Sequence, residues 1–209
     1  MTTVPVPNRT RLHAAILAVA VALTAALVAG VGSSSAAPGS TRSAAYAVPI
    51  GGQTTLKLDA GTAQVLADND ITVAPASEAK VVSSGITFPI TGGLLNVKSL
   101  AGSIKHSGGL TFTAGGKSLT IRNFAVSTTS QRLSAYADEA GATLPVLRLD
   151  LSKATIRASK NKLAVYALPA TLTPEAATAL NDYFGTDLFA GGLKIGNVRV
   201  DATIRSLRS

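Results

Sequence analysis

From Thr54 onward the chain is written in short runs of alternating apolar and polar residues punctuated by glycine, a rhythm that commits it to strands rather than to long helices. In Leu119-Thr120-Ile121-Arg122 the apolar side chains fall on every second position, so one face can rest on a core while the other meets water. The pattern predicts strands at 54–58, 71–74, 86–90, 94–98, 102–105, 110–113, 118–126, 132–137, 146–151, 155–158, 163–168 and 198–204. Gly108-Gly109 and Gly115-Gly116 offer the positive backbone angles that tight hairpins require. The expected class is α+β, mostly β: one antiparallel β-rich domain with two short helices.

Those helices come from two segments that break the rhythm. In 171–185, Thr173 suits an N-cap, Pro174 the first helical position and Gly185 a stop, while Ala176, Ala179, Leu180 and Tyr183 recur at helical spacing. In 55–69, Asp59 suits a cap and Ala63, Leu66 and Ala67 form the apolar stripe, although Gly61 costs about 1 kcal/mol relative to alanine. Each segment reads as strand, cap, short helix and polar stop.

The ends set the context. Arg9 and Arg11 precede the apolar run Ala14 to Val31, and small residues follow from Gly32 to Ala37. That order predicts a cleavable signal peptide over 1–36, with Ser34 and Ala36 as the short side chains before the cut. Residues 37–51 read as a flexible lead-in and 52–209 as the domain, with no membrane span in the mature form. Export places the protein in the secreted or cell-envelope-associated class. Cysteine is absent, which excludes disulfides, thiolate metal sites and a cysteine nucleophile.

Removing 1–36 takes two arginines from the formal +8 and leaves +6. The basic residues are dispersed along the chain, as in Lys98, Lys105, Arg148, Lys153, Arg157, Lys160 and Lys162. With four tyrosines and five phenylalanines in the whole chain to stack bases, the reading is no nucleic-acid partner. Anionic cell-envelope polymers are the more economical use of the charge.

Catalytic equipment is sparse. His106 is the one histidine after the predicted cut, so a hydrolytic triad would need it with Ser107 or Ser118 and Asp150, and no Gly-x-Ser-x-Gly elbow presents such a serine. Asp68-Asn69-Asp70 lacks the glycine and distal glutamate of a calcium loop. Gly115-Gly116-Lys117-Ser118 lacks the first glycine of a phosphate loop. No catalytic residue and no metal site is assigned. A tyrosine oxygen can ligate ferric haem with a histidine in support, which brings Tyr46, Tyr136, Tyr166 and Tyr183 into view.

The block Gly85 to Gly93, then Leu100 to Leu110 with Lys105-His106-Ser107-Gly108-Gly109-Leu110, then Leu119 to Phe124, resembles secreted actinobacterial proteins of the haem-transport-associated, HtaA-like, domain family. Leu172 to Asn181, Phe189-Ala190-Gly191-Gly192 and Ile195-Gly196 look like the end of the same type, and the likeness spans roughly 52–203. Haem-binding members carry a histidine in a Gly-His-x-Gly-x-Leu-like turn, which His106 with Gly108, Gly109 and Leu110 is similar to. The resemblance carries over His106 alone as a ligand; the family's tyrosine stretch has no counterpart here, and the haem-binding alternative sets His106 with one of Tyr136, Tyr166 or Tyr183 near the iron, Tyr166 being the one assigned. The leading expectation is an exported non-enzymatic cell-envelope or binding protein of unknown ligand, with no resident cofactor. The alternative is a haem-binding protein of an iron-acquisition system, and the second alternative is a secreted hydrolase.

Overall fold

The computed structural model describes residues 45–207. The predicted signal peptide and residues 37–44 of the lead-in lie outside the described residues. In chain order the elements are β1 (Tyr46–Leu58), α1 (Ala60–Asp68), β2 (Thr72–Ala76), β3 (Lys80–Val82), β4 (Gly85–Asn96), β5 (Gly102–His106), β6 (Gly109–Ala114), β7 (Lys117–Ser127), β8 (Arg132–Ala137) and β9 (Ala142–Leu149). After a single 3-10 turn at Leu151–Lys153 come β10 (Thr155–Ala158), β11 (Lys162–Leu172), α2 (Pro174–Phe184) and β12 (Lys194–Leu207).

All pairings are antiparallel, and the strands follow the order β7-β5-β4-β1-β12-β11-β9-β8, with β8 returning to β7. The sheet closes into a barrel, which removes the unpaired edge that an open sheet would leave. The shorter strands extend it where a long strand outruns its neighbour. β3 lies along β4, β10 along β11, and β6 continues the edge of β7 beyond β5, carrying β2 outside it. Alternation does the sorting. In β12, Val198, Val200, Ala202 and Ile204 are buried while Asn197, Arg199, Thr203 and Arg205 are exposed.

Both helices form where the caps predict them. Asp59 accepts from the Gly61 N–H ahead of α1, and Thr173 accepts from the Ala176 N–H ahead of α2, which ends on Gly185 in the left-handed conformation at φ 69°. Gly115-Gly116 forms the two-residue β6–β7 hairpin with φ of 55° and 76°, the signs a type I′ turn requires.

Three expectations change. Residues 86–90 and 94–98, read as two strands, belong largely to the single strand β4, because Thr91-Gly92-Gly93 makes a bulge rather than a turn. Gly108-Gly109 closes no hairpin, since β5 and β6 both pair with β7 and Gly108 steps the chain from one to the other. β1 begins at Tyr46, so it takes in residues 46–51 that composition placed in the lead-in. No helix among the described residues is long and apolar enough to cross a membrane.

Candidate functional site

Alternation along β5 sends Ile104 and His106 inward and Lys105 outward, which buries the imidazole to 5% exposure. β4 stands between β5 and β1, with Ile90 opposite His106 and Phe88 opposite Thr54. The two polar residues therefore meet inside the barrel, and Thr54 Oγ1 lies 2.7 Å from His106 Nε2. On the other side of the ring, Nδ1 lies 3.3 Å from the Phe124 carbonyl oxygen of β7.

These contacts fix the ring's chemistry. A carbonyl can only accept, so Nδ1 carries the proton and donates to Phe124, leaving the Nε2 lone pair to accept from the Thr54 hydroxyl. Burial drives the imidazole pKa down to about 4, with the Phe124 carbonyl pulling weakly the other way. At neutral pH His106 is an uncharged base with one lone pair.

The ring faces a cavity of about 240 Å³. Hydrocarbon dominates its wall, from Leu56, Phe88 and Phe124 to Leu149 and Val198, and the polar lining is confined to Thr54, Thr62, His106, Glu139 and Tyr183. Phe88 and Phe124 meet edge to face, with centroids 5.0 Å apart, which fixes the aromatic side of the cavity. Both helices contribute, α1 through Thr62 and Leu66 and α2 through Ala176, Leu180 and Tyr183. α2 is tied to the β6–β7 hairpin by the Tyr183 hydroxyl donating to the Ser118 carbonyl and by Lys117 Nζ donating to the Tyr183 carbonyl.

The structure separates the two residues that the haem-binding alternative paired. His106 is inside the barrel, whereas Tyr166 lies on its outer surface, with the Arg157 and Arg199 guanidiniums at 5.8 Å and 4.8 Å from its ring centroid. A bulge at Tyr166-Ala167 keeps both residues outside while Val165 and Leu168 point in. Tyr136 lies beneath Arg122, whose guanidinium is 5.1 Å from its ring. Tyr183 is the tyrosine that shares the cavity with His106.

Nor are the triad candidates assembled. Ser118 Oγ bonds Thr113, Asp150 caps the 3-10 turn through Ser152, and the polar partners of His106 are a threonine hydroxyl and a carbonyl. Asp68 accepts from Gln64 on α1, and among the described residues no three His, Asp or Glu side chains gather as a metal site. Sequence reasoning missed Thr54, which stands 52 residues from His106. A threonine on a strand carries no local signal of a distant histidine; strand register supplies it.

No family model matches the chain, and no curated protein matches it either. Among solved structures, the C-terminal domain of HtaA from Corynebacterium glutamicum superposes with a TM-score of 0.57 at 14% identity, covering 76% of this chain and 99% of that domain. The chain has the HtaA-domain fold. A domain-swapped dimeric variant of the same HtaA domain gives a TM-score of 0.49 at 17% identity, over 69% of this chain and 90% of that one. The haem-binding protein HtaB from Corynebacterium glutamicum gives 0.46 at 10% identity, over 78% and 97%. The HtaA-like architecture expected from the residue blocks is thus the one observed.

Proposed function

We propose that this chain is an exported, non-enzymatic binding protein that takes haem into the barrel interior beside His106. One observation carries the reading: a neutral imidazole whose Nε2 lone pair is held only by the Thr54 hydroxyl faces a cavity whose wall is otherwise almost entirely hydrocarbon. A histidine whose other ring nitrogen donates to a main-chain carbonyl is the form that ligates metals. The residues present therefore fit an iron porphyrin. Haem supplies a Lewis-acidic iron for that lone pair and an apolar ring for the cavity wall. His106 Nε2 is the ligating atom, the Phe124 carbonyl orients the ring, and the Thr54 hydroxyl must turn away from Nε2 to release it. The HtaA-like fold and the His106 turn support the same reading.

A porphyrin is larger than a void of about 240 Å³, so the cavity must widen to admit it; we place that opening at α2, which two hydrogen bonds, Tyr183–Ser118 and Lys117–Tyr183, hold to the β6–β7 hairpin. The non-enzymatic reading is supported by His106 being engaged by a hydroxyl and a carbonyl, with neither serine nor carboxylate of a triad beside it. Titration of the purified protein with hemin, followed in the Soret region, is the test. A saturating band that His106→Ala removes and Tyr166→Phe leaves intact is expected. An unchanged band in a folded His106→Ala variant overturns the reading.

A further inference from the structure

Basic residues that are scattered along the sequence are gathered by the fold onto one wall. The adjacent strands β1, β12, β11 and β10 carry Lys57, Arg157, Lys162, Lys194, Arg199 and Arg205, all exposed, against the single acid Asp201. Outside these strands, the described residues hold nine lysines and arginines against ten aspartates and glutamates. The excess positive charge of the described domain therefore belongs to this wall, while its remaining surface is close to balanced.

Register arranges the cations in space. Lys162 stands opposite Thr203, and Arg205 follows two residues along the same face of β12. Arg157 stands opposite Ala164, which is itself opposite Asp201. Neighbouring strands are about 4.8 Å apart, so these cations repeat at intervals of roughly 5–10 Å across the wall. Arg157 and Arg199 both lie against the Tyr166 ring, which holds two like-charged forks close together. Two of the six are paired: Lys194 with Asp59 at 2.6 Å, at the end of the wall, and Arg199 with Asp201 by two hydrogen bonds at 2.7 Å and 3.2 Å.

We infer that the outer wall formed by β10, β11, β12 and β1 docks a phosphate-bearing anionic polymer through Arg157, Lys162, Arg199 and Arg205. A row of separate cations suits a ligand with repeating charge better than a single small anion. A carboxylate presents its two oxygens in one plane, as Asp201 does to Arg199, whereas a phosphate presents its oxygens tetrahedrally to donors standing on different strands. The Tyr166 ring is already covered by guanidiniums, so it gives nucleobases no free stacking platform. The wall faces outward and the His106 cavity inward, so the two sites can be occupied independently.

The probe is inorganic polyphosphate, titrated into the purified protein across a salt series, with polygalacturonate as the carboxylate comparison. The variant Arg157→Gln/Lys162→Gln/Arg205→Gln removes three exposed cations of the wall, and Lys80→Gln/Lys98→Gln/Arg148→Gln removes three from elsewhere. The wall variant is expected to bind polyphosphate at least about tenfold more weakly, with the log K against log salt slope reduced by about 2; the other variant should stay within about threefold of the parent. Equal losses in the two variants, or no polyphosphate binding by the parent at low salt, overturn the docking wall. Equal affinity for polygalacturonate overturns the phosphate assignment. Circular dichroism of both variants secures the fold.

Discussion

Lowering pH from about 7 to about 4 should destabilise the domain chiefly through His106. In an unfolded chain the imidazole of His106 takes a proton below about 6.5, whereas in the barrel it does so only below about 4, because burial opposes the charge. Between those values the unfolded state binds more protons than the folded one, so stability falls as pH drops through the window and recovers as it rises. The gap corresponds to roughly 3 kcal/mol, a large part of the roughly 5–15 kcal/mol that holds a domain together. Urea unfolding followed by circular dichroism from about pH 7 to about pH 4 measures it, with His106→Leu as the reference that cannot titrate. Two carboxyls held below their usual range, Asp59 by its hydrogen bond from Lys194 and Asp150 by its bond from Ser152, contribute equally to both proteins and cancel in the difference. The parent should lose roughly 3 kcal/mol more than the variant across the window. Parallel curves would refute a desolvated imidazole.

Four further outcomes follow from the geometry. Leu149→Ala, at a core position 2% exposed, should cost about 2–5 kcal/mol in chemical denaturation. Gly93→Ala should cost at least about 1–3 kcal/mol in the same assay, because its φ of 139° is foreign to alanine and a Cβ there would sit 2.1 Å from the Ser103 carbonyl oxygen. Thr54→Val should lower stability by about 1–3 kcal/mol, by leaving the Nε2 lone pair buried without a donor, and should tighten hemin binding, as titration would show. Tyr183→Phe deletes one of the bonds holding α2 to the hairpin and should speed hemin uptake about fivefold in stopped-flow absorbance.

Much of the fold is legible because its determinants are local. Thr173-Pro174 and Gly185 bound α2, Asp59 starts α1, and the alternation of β8 and β10 marks those strands to the residue, since each depends on neighbours a few positions away. Closure of the barrel is not local. It rests on β7 meeting β5, β6 and β8 at once, and no stretch of sequence announces a strand with three partners. Glycine is ambiguous for the same reason. Gly115-Gly116 turns a hairpin and Gly92-Gly93 lies in a strand, and what separates them is whether another strand runs alongside. His106 stood out because it is the one histidine of residues 37–209, yet its partner Thr54 became visible only through the register of β1, β4 and β5. The charged wall shows the same limit, since β1 joins β10, β11 and β12 there from the other end of the domain.

The central claim, that the His106 lone pair is the atom a porphyrin metal meets, is tested most directly by imidazole ¹⁵N NMR of the protein labelled at histidine. Without ligand, the spectrum should show a neutral ring protonated at Nδ1. On titration with diamagnetic gallium protoporphyrin, the Nε2 resonance should move to a new position in proportion to binding while Nδ1 keeps its proton. Saturation of the porphyrin with the Nε2 resonance unmoved would contradict the account.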